Sequence, residues 1–195
     1  MCNYTSRNVI IPSQDLDESQ IDISYHTFRE IYKFKIIYYL AKMDNGSYAK
    51  AYYEWYNAGH RFSNRVYEVM KFIVKHEKTR VLINRNPTLN YYSLLLMRIR
   101  NIKRDMDDYT LSVPQPILAG LNADFDGDIL NIIGMVNKAL AYAFRKFDPQ
   151  TRMIISRDDG KLNPYFEITK NHLVDLYYFC TCKEQKKTDS GILIP

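Results

Sequence analysis

"GLNADFDGDILNI", Gly120 to Ile132, places three aspartates at alternate positions between apolar runs. Asp124, Asp126 and Asp128 lie within five residues, and Gly127 separates the last two. On a regular strand these carboxylates would lie about 7 Å apart per step, whereas the oxygens that bind a small cation lie about 2 Å from it. The spacing therefore predicts a tight loop, for which Gly127 has the backbone freedom.

The carboxylates in this loop indicate a cation site. Three clustered carboxylates repel one another unless a cation neutralises them, and hard oxygen ligands at an open loop suit Mg2+. The alternative is a solvated acidic turn, but the flanks "ILAGL" and "ILNII" are apolar, and we expect them to be buried strands that hold the loop in place. A calcium EF-hand loop counted from Asp124 would need Gly and Glu where the chain has Ile129 and Met135.

Composition places the chain among globular proteins with a mildly basic surface. It has 195 residues, 46% of them hydrophobic and 25% charged, enough for one sizeable core or two small ones. The net charge of +5 permits a polyanionic partner without demanding one. No apolar run has transmembrane length and no signal peptide is evident, so we expect a soluble intracellular protein without a membrane partner. Cys2, Cys180 and Cys182 are too few for a paired metal site and are expected to be reduced thiols.

Hydrophobic periodicity predicts an α+β unit with strands on both sides of a helical region. We expect a strand at Arg7–Pro12, a polar turn-like segment at 13–24, a helix at Tyr25–Met43, and a second helical stretch from Ser47 to about Lys75 with a break near Gly59. Further strands are predicted at Arg80–Asn84, within 107–118 and at 129–135, with helices at 136–147 and 171–180. The run "YSLLLMRIRNI" fits a strand or a short helix equally well.

Several of these segments also carry a family resemblance. "NADFDGD", Asn122 to Asp128, matches in full the metal-binding signature of the largest, β′-type subunit of multisubunit DNA-dependent RNA polymerases. "VLINRNPTLN", Val81 to Asn90, resembles the "LLNRxPTLH" segment that precedes this signature. "YTSRNVII", Tyr4 to Ile11, resembles the strand that opens the same domain, and "NHLVDLYYFC" resembles a later helix. The four segments occur in the family's order, so the resemblance spans nearly the whole chain.

The resemblance implies a fold and a mechanism. It implies a double-psi β-barrel at 1–135, with a helical insertion at about 25–78 and a helical C-terminal extension at 136–195. In the family the three aspartates, here Asp124, Asp126 and Asp128, hold the catalytic Mg2+ near the RNA 3′ end. A second Mg2+ arrives with the nucleoside triphosphate, and the two ions together promote nucleotidyl transfer.

The resemblance also implies roles for other residues and for partners. Arg85 and Asn122 would contact the ribose hydroxyls of the nucleotide, Pro87 would shape its pocket, and Arg7 would lie near the backbone of the RNA–DNA hybrid. An arginine close to a proline, as Arg85 is to Pro87, is by itself more often a solvated loop residue. The aspartates downstream are the reason for preferring a functional role for Arg85. The implied partners are a β-like subunit, other β′ fragments, template DNA and NTPs. Lys71, Lys75, Lys78 and Arg80 are interpreted either as a solvated helix face or as a nucleic-acid path.

Departures from the family pattern indicate a divergent source. Asn90 and Pro114–Pro116 occupy positions where the family has histidines, and "ILNIIGM" replaces the usual segment after the aspartates. No clamp, bridge helix or trigger loop is recognisable. We therefore expect a viral, phage or otherwise fast-evolving enzyme, in a bacterial cytoplasm or a virion, and a split subunit or an excised piece. The alternatives are a non-catalytic barrel for assembly or nucleic-acid binding, and an RNA-templated polymerase of the silencing type, against which the full "NADFDGD" argues.

Overall fold

The structure is a computed structural model that describes residues 3–152 and Tyr177. The strands are β1 (Thr5–Pro12), β2 (Gln20–Ile23), β3 (Arg80–Asn84), β4 (Leu94–Ile102), β5 (Leu111–Val113) and β6 (Ile129–Gly134). They close into a barrel in the order β1, β5, β2, β4, β3, β6, and β6 pairs again with β1. The β1–β5 and β2–β4 pairs are parallel, and the other four pairs are antiparallel. The predicted α+β class and the barrel are confirmed.

The barrel interior is filled by alternate residues of its strands. In β6, Leu130 and Ile132 are fully buried while Ile129 and Ile133 are exposed, which is the two-residue period of a strand with one buried face. Ile83 and Met97 complete this layer from β3 and β4. Because closure leaves no unpaired sheet edge, the barrel is a rigid support for the loops at its ends.

The helical insertion lies between β2 and β3, as predicted. Its helices are α1 (Tyr25–Ile31), α2 (Lys33–Met43), α3 (Tyr48–Asn57) and α4 (Asn64–Glu77). Ser24 and Ser63 cap α1 and α4 by accepting hydrogen bonds from Thr27 N and Val66 N. The single helix predicted at Tyr25–Met43 is two helices, because Tyr32 leaves helical geometry with φ −104° and ψ 22°. The buried Tyr32 hydroxyl donates to Arg80 O at 2.8 Å and so ties the insertion to the barrel.

Two predictions about the strands need correction or completion. Residues 13–24, expected to be turn-like, contain β2. Its apolar pattern is interrupted by Asp22, which is buried because it pairs with Arg100, whose Nε lies 3.0 Å from Asp22 Oδ1. The ambiguous run before residue 103 is a 3-10 turn at Tyr91–Ser93 followed by the nine-residue strand β4.

The segment before the aspartates is helical and not the buried strand that we expected. A 3-10 turn at Gln115–Ile117 leads into the one-turn helix α5 (Leu118–Leu121), in which Gly120 and Leu121 are buried. The apolar residues of this run are therefore buried by helical spacing and not by alternation. Asn122 ends the helix in the left-handed region with φ 54°.

After β6 the chain forms α6 (Lys138–Ala143), a 3-10 turn at Arg145–Phe147 and α7 (Pro149–Arg152). Part of this segment covers Leu82, Leu96 and Met135 on the outside of the barrel. The predicted helix at 171–180 and the three cysteines lie outside the described residues, apart from Tyr177, and the domain boundary after residue 135 stays a prediction. No helix in residues 3–152 is both long enough and apolar enough to cross a bilayer.

Candidate functional site

The aspartate loop, residues 122–128, connects α5 to β6 and is anchored at both ends. Ala123 N donates to Leu118 O at 3.1 Å, and Ile10 N of β1 donates to Asp128 O at 3.1 Å. Gly127 has φ +110°, which an L side chain rarely adopts, so this glycine is required for the turn. The half-buried Phe125 packs against the main core, as its alternation with the aspartates predicts. The loop therefore has a defined position on the barrel.

Arg85 holds the last aspartate of the loop. Its Nη2 lies 3.0 Å from Asp128 Oδ1 and its Nε lies 3.0 Å from Asp128 Oδ2, which is a two-pronged ion pair. Asp124 N also donates to Asp128 Oδ2 at 2.9 Å. The hydrogen bond from Arg85, together with that from Asp124 N, holds the pKa of Asp128 below its usual range. Asp128 is therefore ionised at neutral pH and fixed in orientation.

The other two aspartates are more open. Asp124 is exposed, and its Oδ1 accepts a hydrogen bond from Phe125 N at 2.7 Å. Asp126 is exposed and has no hydrogen bond or ion pair with any described residue. Among residues 3–152, no three Asp, Glu, His or Cys side chains are arranged to hold a metal ion. The type of donor thus fits Mg2+, and Asp126 is available for it, whereas Asp128 is engaged with Arg85 in this arrangement.

The segment that carries Arg85 is also ordered by local hydrogen bonds. Asn84 Oδ1 accepts from Thr88 Oγ1 at 3.0 Å, and Arg85 N donates to Ser93 O at 3.4 Å. Asn90, which caps the following 3-10 turn, accepts from Tyr92 N at 2.8 Å. Pro87 is exposed within this turn and follows a cis peptide bond. The turn is therefore closed by its own side chains, with Arg85 at its base.

Arg7 lies on the outer face of the same side of the barrel. In the strand register Arg7 of β1 is opposite Asn131 of β6, and Asn131 is opposite Asn84 of β3. These three residues form a polar row across three neighbouring strands. Asn131, the middle residue of the row, lies three positions after Asp128 in the sequence. Sequence reasoning missed Asn84 and Asn131, although a polar residue inside an apolar strand is the signal that would have identified them.

The predicted site residues differ in how closely the structure connects them to the aspartate loop. Arg85 contacts the aspartate loop directly, and exposed Asn122 begins that loop. Arg7 is connected to it only through strand pairing, and no hydrogen bond between described residues links Pro87 to it. The site is therefore a carboxylate loop at the end of a closed barrel, with one arginine committed to it.

The described region is thus a closed barrel with an exposed carboxylate loop and an arginine at the base of that loop. Residues 1–141, which include every predicted site residue, match the family described as RNA polymerase Rpb1, domain 2. The chain belongs to this family and is a region of the largest subunit of a DNA-directed RNA polymerase, which at the family level is a nucleotidyltransferase that assembles with other subunits and nucleic acids. A search of curated proteins found no match.

Proposed function

We propose that this chain is the catalytic-core portion of a β′-type subunit and that its aspartate loop binds the active-site Mg2+ of a multisubunit RNA polymerase. The observation that carries the proposal is the Arg85–Asp128 ion pair. It joins the "NRNPTL" and "NADFDGD" segments, which the chain separates by 43 positions. Two segments that each resemble a part of one active site are thus in direct contact.

The proposed role of each side chain comes from the family resemblance, and its surroundings are compatible with that role. Asp126, exposed and unpaired within the described residues, is the ligand most open to a metal ion, and Asp124 and Asp128 complete the set. Bound Mg2+ would supply electrostatic stabilisation of the negative charge that develops during nucleotidyl transfer. Arg85 uses Nε and Nη2 for Asp128, so its Nη1 remains to donate to a ribose hydroxyl.

Asn122 is the second residue proposed to contact the ribose. Its left-handed backbone places it between α5 and the loop, where its amide has both a donor and an acceptor for a 2′-hydroxyl. Pro87 and Arg7 are proposed to border the nucleotide and the RNA–DNA hybrid, on the strength of the resemblance. Arg7 is exposed, as a contact to a phosphate backbone requires.

The proposal includes partners that complete the site. In-line transfer needs groups that grip the triphosphate, and the sequence has no phosphate-cradling G-x-x-x-x-G-K pattern. We therefore assign this task to a β-like subunit and other β′ fragments, which also enclose the template. The departures at Asn90 and after the loop support a viral or phage polymerase, which would act in a bacterial cytoplasm or be carried in the virion.

The test is RNA synthesis by the assembled complex with Asp126→Ala. We expect elongation to fall by about 10²-fold or more, as for loss of a principal electrostatic contact, while folding and assembly persist. Asp107→Ala, which removes an exposed aspartate from another loop, is the matched control and should elongate normally. Near-normal elongation by Asp126→Ala would remove the metal assignment and favour a non-catalytic barrel used for assembly or nucleic-acid binding.

A further inference from the structure

A group of positively charged side chains lies at the opposite end of β3 from the aspartate loop. β3 begins at Arg80 and ends one residue before Arg85, so about 13 Å of strand separates the two regions. At the Arg80 end a concavity of about 540 Å³ lies between the end of α4, the start of β3 and the segment around α6. Its cationic side chains are Lys35, Lys78, Arg80, Lys138 and Arg145, and Glu77 is its acidic one.

Two further concavities continue this region along the surface. The second shares Lys78 and Arg80 with the first and adds Arg98 and Arg100. The third shares Arg100 with the second and adds Lys71 and Lys75 from α4. We call the nine lysines and arginines of the three concavities the basic track.

Acidic neighbours neutralise fewer than half of these cations. The paired residues are Lys35 with Glu77, Lys71 with Glu68, Arg80 with Asp148, and Arg100 with Asp22. The remaining five have no salt bridge to any described residue. The nine cations of the basic track therefore exceed their four salt-bridged acidic partners.

The strand register places two arginines side by side at the middle of the track. Arg80 of β3 lies directly opposite Arg98 of β4, and like charges in this relation destabilise a sheet. Arg80 has Asp148, whereas Arg98 has only hydrogen bonds to Ser19 Oγ and Gln150 Oε1. Two buried groups here, Arg98 Nε and Oγ1 of Thr79, a residue only 4% exposed, have no hydrogen-bond partner among the described residues. Both residues line the second concavity.

We propose that the basic track binds the phosphodiester backbone of a nucleic acid. A single phosphate would need one concavity, whereas here three adjoin in series, and lysines and arginines are the residues that contact backbone phosphates without reading sequence. The track does not depend on the metal assignment, because it lies at the other end of β3. The basic track would be a second binding surface for nucleic acid in this subunit, remote from the aspartate loop.

The experiment measures binding of the full 195-residue chain to a labelled DNA duplex, and to single-stranded RNA of equal length, by fluorescence anisotropy in EDTA. The track variant carries Lys75→Gln, Lys78→Asn and Lys138→Gln; asparagine suits position 78 because its φ is 49°. The matched control carries Lys42→Gln, Lys50→Gln and Arg61→Gln, which remove the same charge from exposed positions on the insertion. Circular dichroism and urea midpoints verify that both variants are folded.

We expect the track variant to bind the duplex about tenfold or more weakly and the control to remain within about threefold of wild type. The slope of log K against log salt concentration should become shallower by up to about 2.7 in the track variant. Each lost contact with a duplex phosphate accounts for about 0.9 of this slope, and the variant removes three lysines. Equal weakening by both variants would overturn the proposal, because general charge would then explain binding. Polyglutamate that competes as well as the duplex would overturn it in favour of an acidic protein partner. EDTA removes Mg2+, so neither result bears on the aspartate loop.

Discussion

The Arg85–Asp128 ion pair should stabilise the folded chain measurably, unlike an ordinary surface pair. Its side chains are 23% and 22% exposed, and both contacts are 3.0 Å long. Hydrogen bonds to charged groups contribute about 1.5–3 kcal/mol, and fully exposed pairs contribute about 0–1 kcal/mol. Partial burial places this pair between these values, and we expect a coupling energy of about 1–2 kcal/mol.

The assay is a double-mutant cycle with Arg85→Met, Asp128→Asn and the combined variant, measured by urea unfolding of the full chain at pH 7 in EDTA. The amide oxygen that Asp128→Asn introduces can still accept the hydrogen bond from Asp124 N, so the cycle isolates the contact with Arg85. A control cycle on Lys71 and Glu68, an exposed pair on α4, should give about 0.2–0.5 kcal/mol. A coupling energy for Arg85 and Asp128 no larger than this control would refute the reasoning that the arginine holds the loop.

Three further outcomes are expected. In the assembled polymerase, Arg85→Ala or Asn122→Ala should lower the NTP-over-dNTP preference by about 1.5–3 kcal/mol in single-nucleotide incorporation, and unchanged ratios would exclude both residues from the site. Gly127→Ala should cost about 1–3 kcal/mol of unfolding free energy in urea, because its φ is +110°, and a cost under about 0.3 kcal/mol would contradict that strain. Burial raises the pKa of Glu77, but hydrogen bonds from Lys35 and Tyr39 outweigh this effect, so the pKa is lowered on folding. Glu77→Gln should therefore destabilise the chain at pH 7, and the loss of unfolding free energy should become smaller below about pH 4.5. A loss that does not change with pH would contradict this.

Sequence periodicity predicted β3, β6 and α4 because their buried faces repeat without interruption. β3 and β6 each have apolar residues on the interior face, and α4 keeps Val66, Met70 and Ile73 buried at helical spacing. β2 was not predicted from the sequence because it has only four residues and one of them, Asp22, is a buried charged residue. Its pairing with Arg100, 78 positions away, is a tertiary contact that local pattern does not reveal.

The segments that form the candidate site were recognisable in the sequence, whereas their spatial arrangement was not. The "NADFDGD" segment identified the loop, and the family match extends over it. The pairing of Arg85 with Asp128 was not predicted, because it depends on β3 and β6 being neighbours in the barrel. The row formed by Arg7, Asn131 and Asn84 depends on the same strand order, which one sequence does not specify.

The order in which the strands join also has a consequence for how the chain acquires its site during synthesis. β1 pairs with β5 and β6, so among the described strands β1 is without its sheet partners until β5 and β6 have been synthesised. Such non-local pairing is slow, and an unpaired strand is prone to associate with other chains in the interval. The hydrogen bond from Ile10 to Asp128 O forms only when β6 has joined β1. The aspartate loop is therefore among the last parts of the described barrel to take its final shape, because β1 and β6 must pair first.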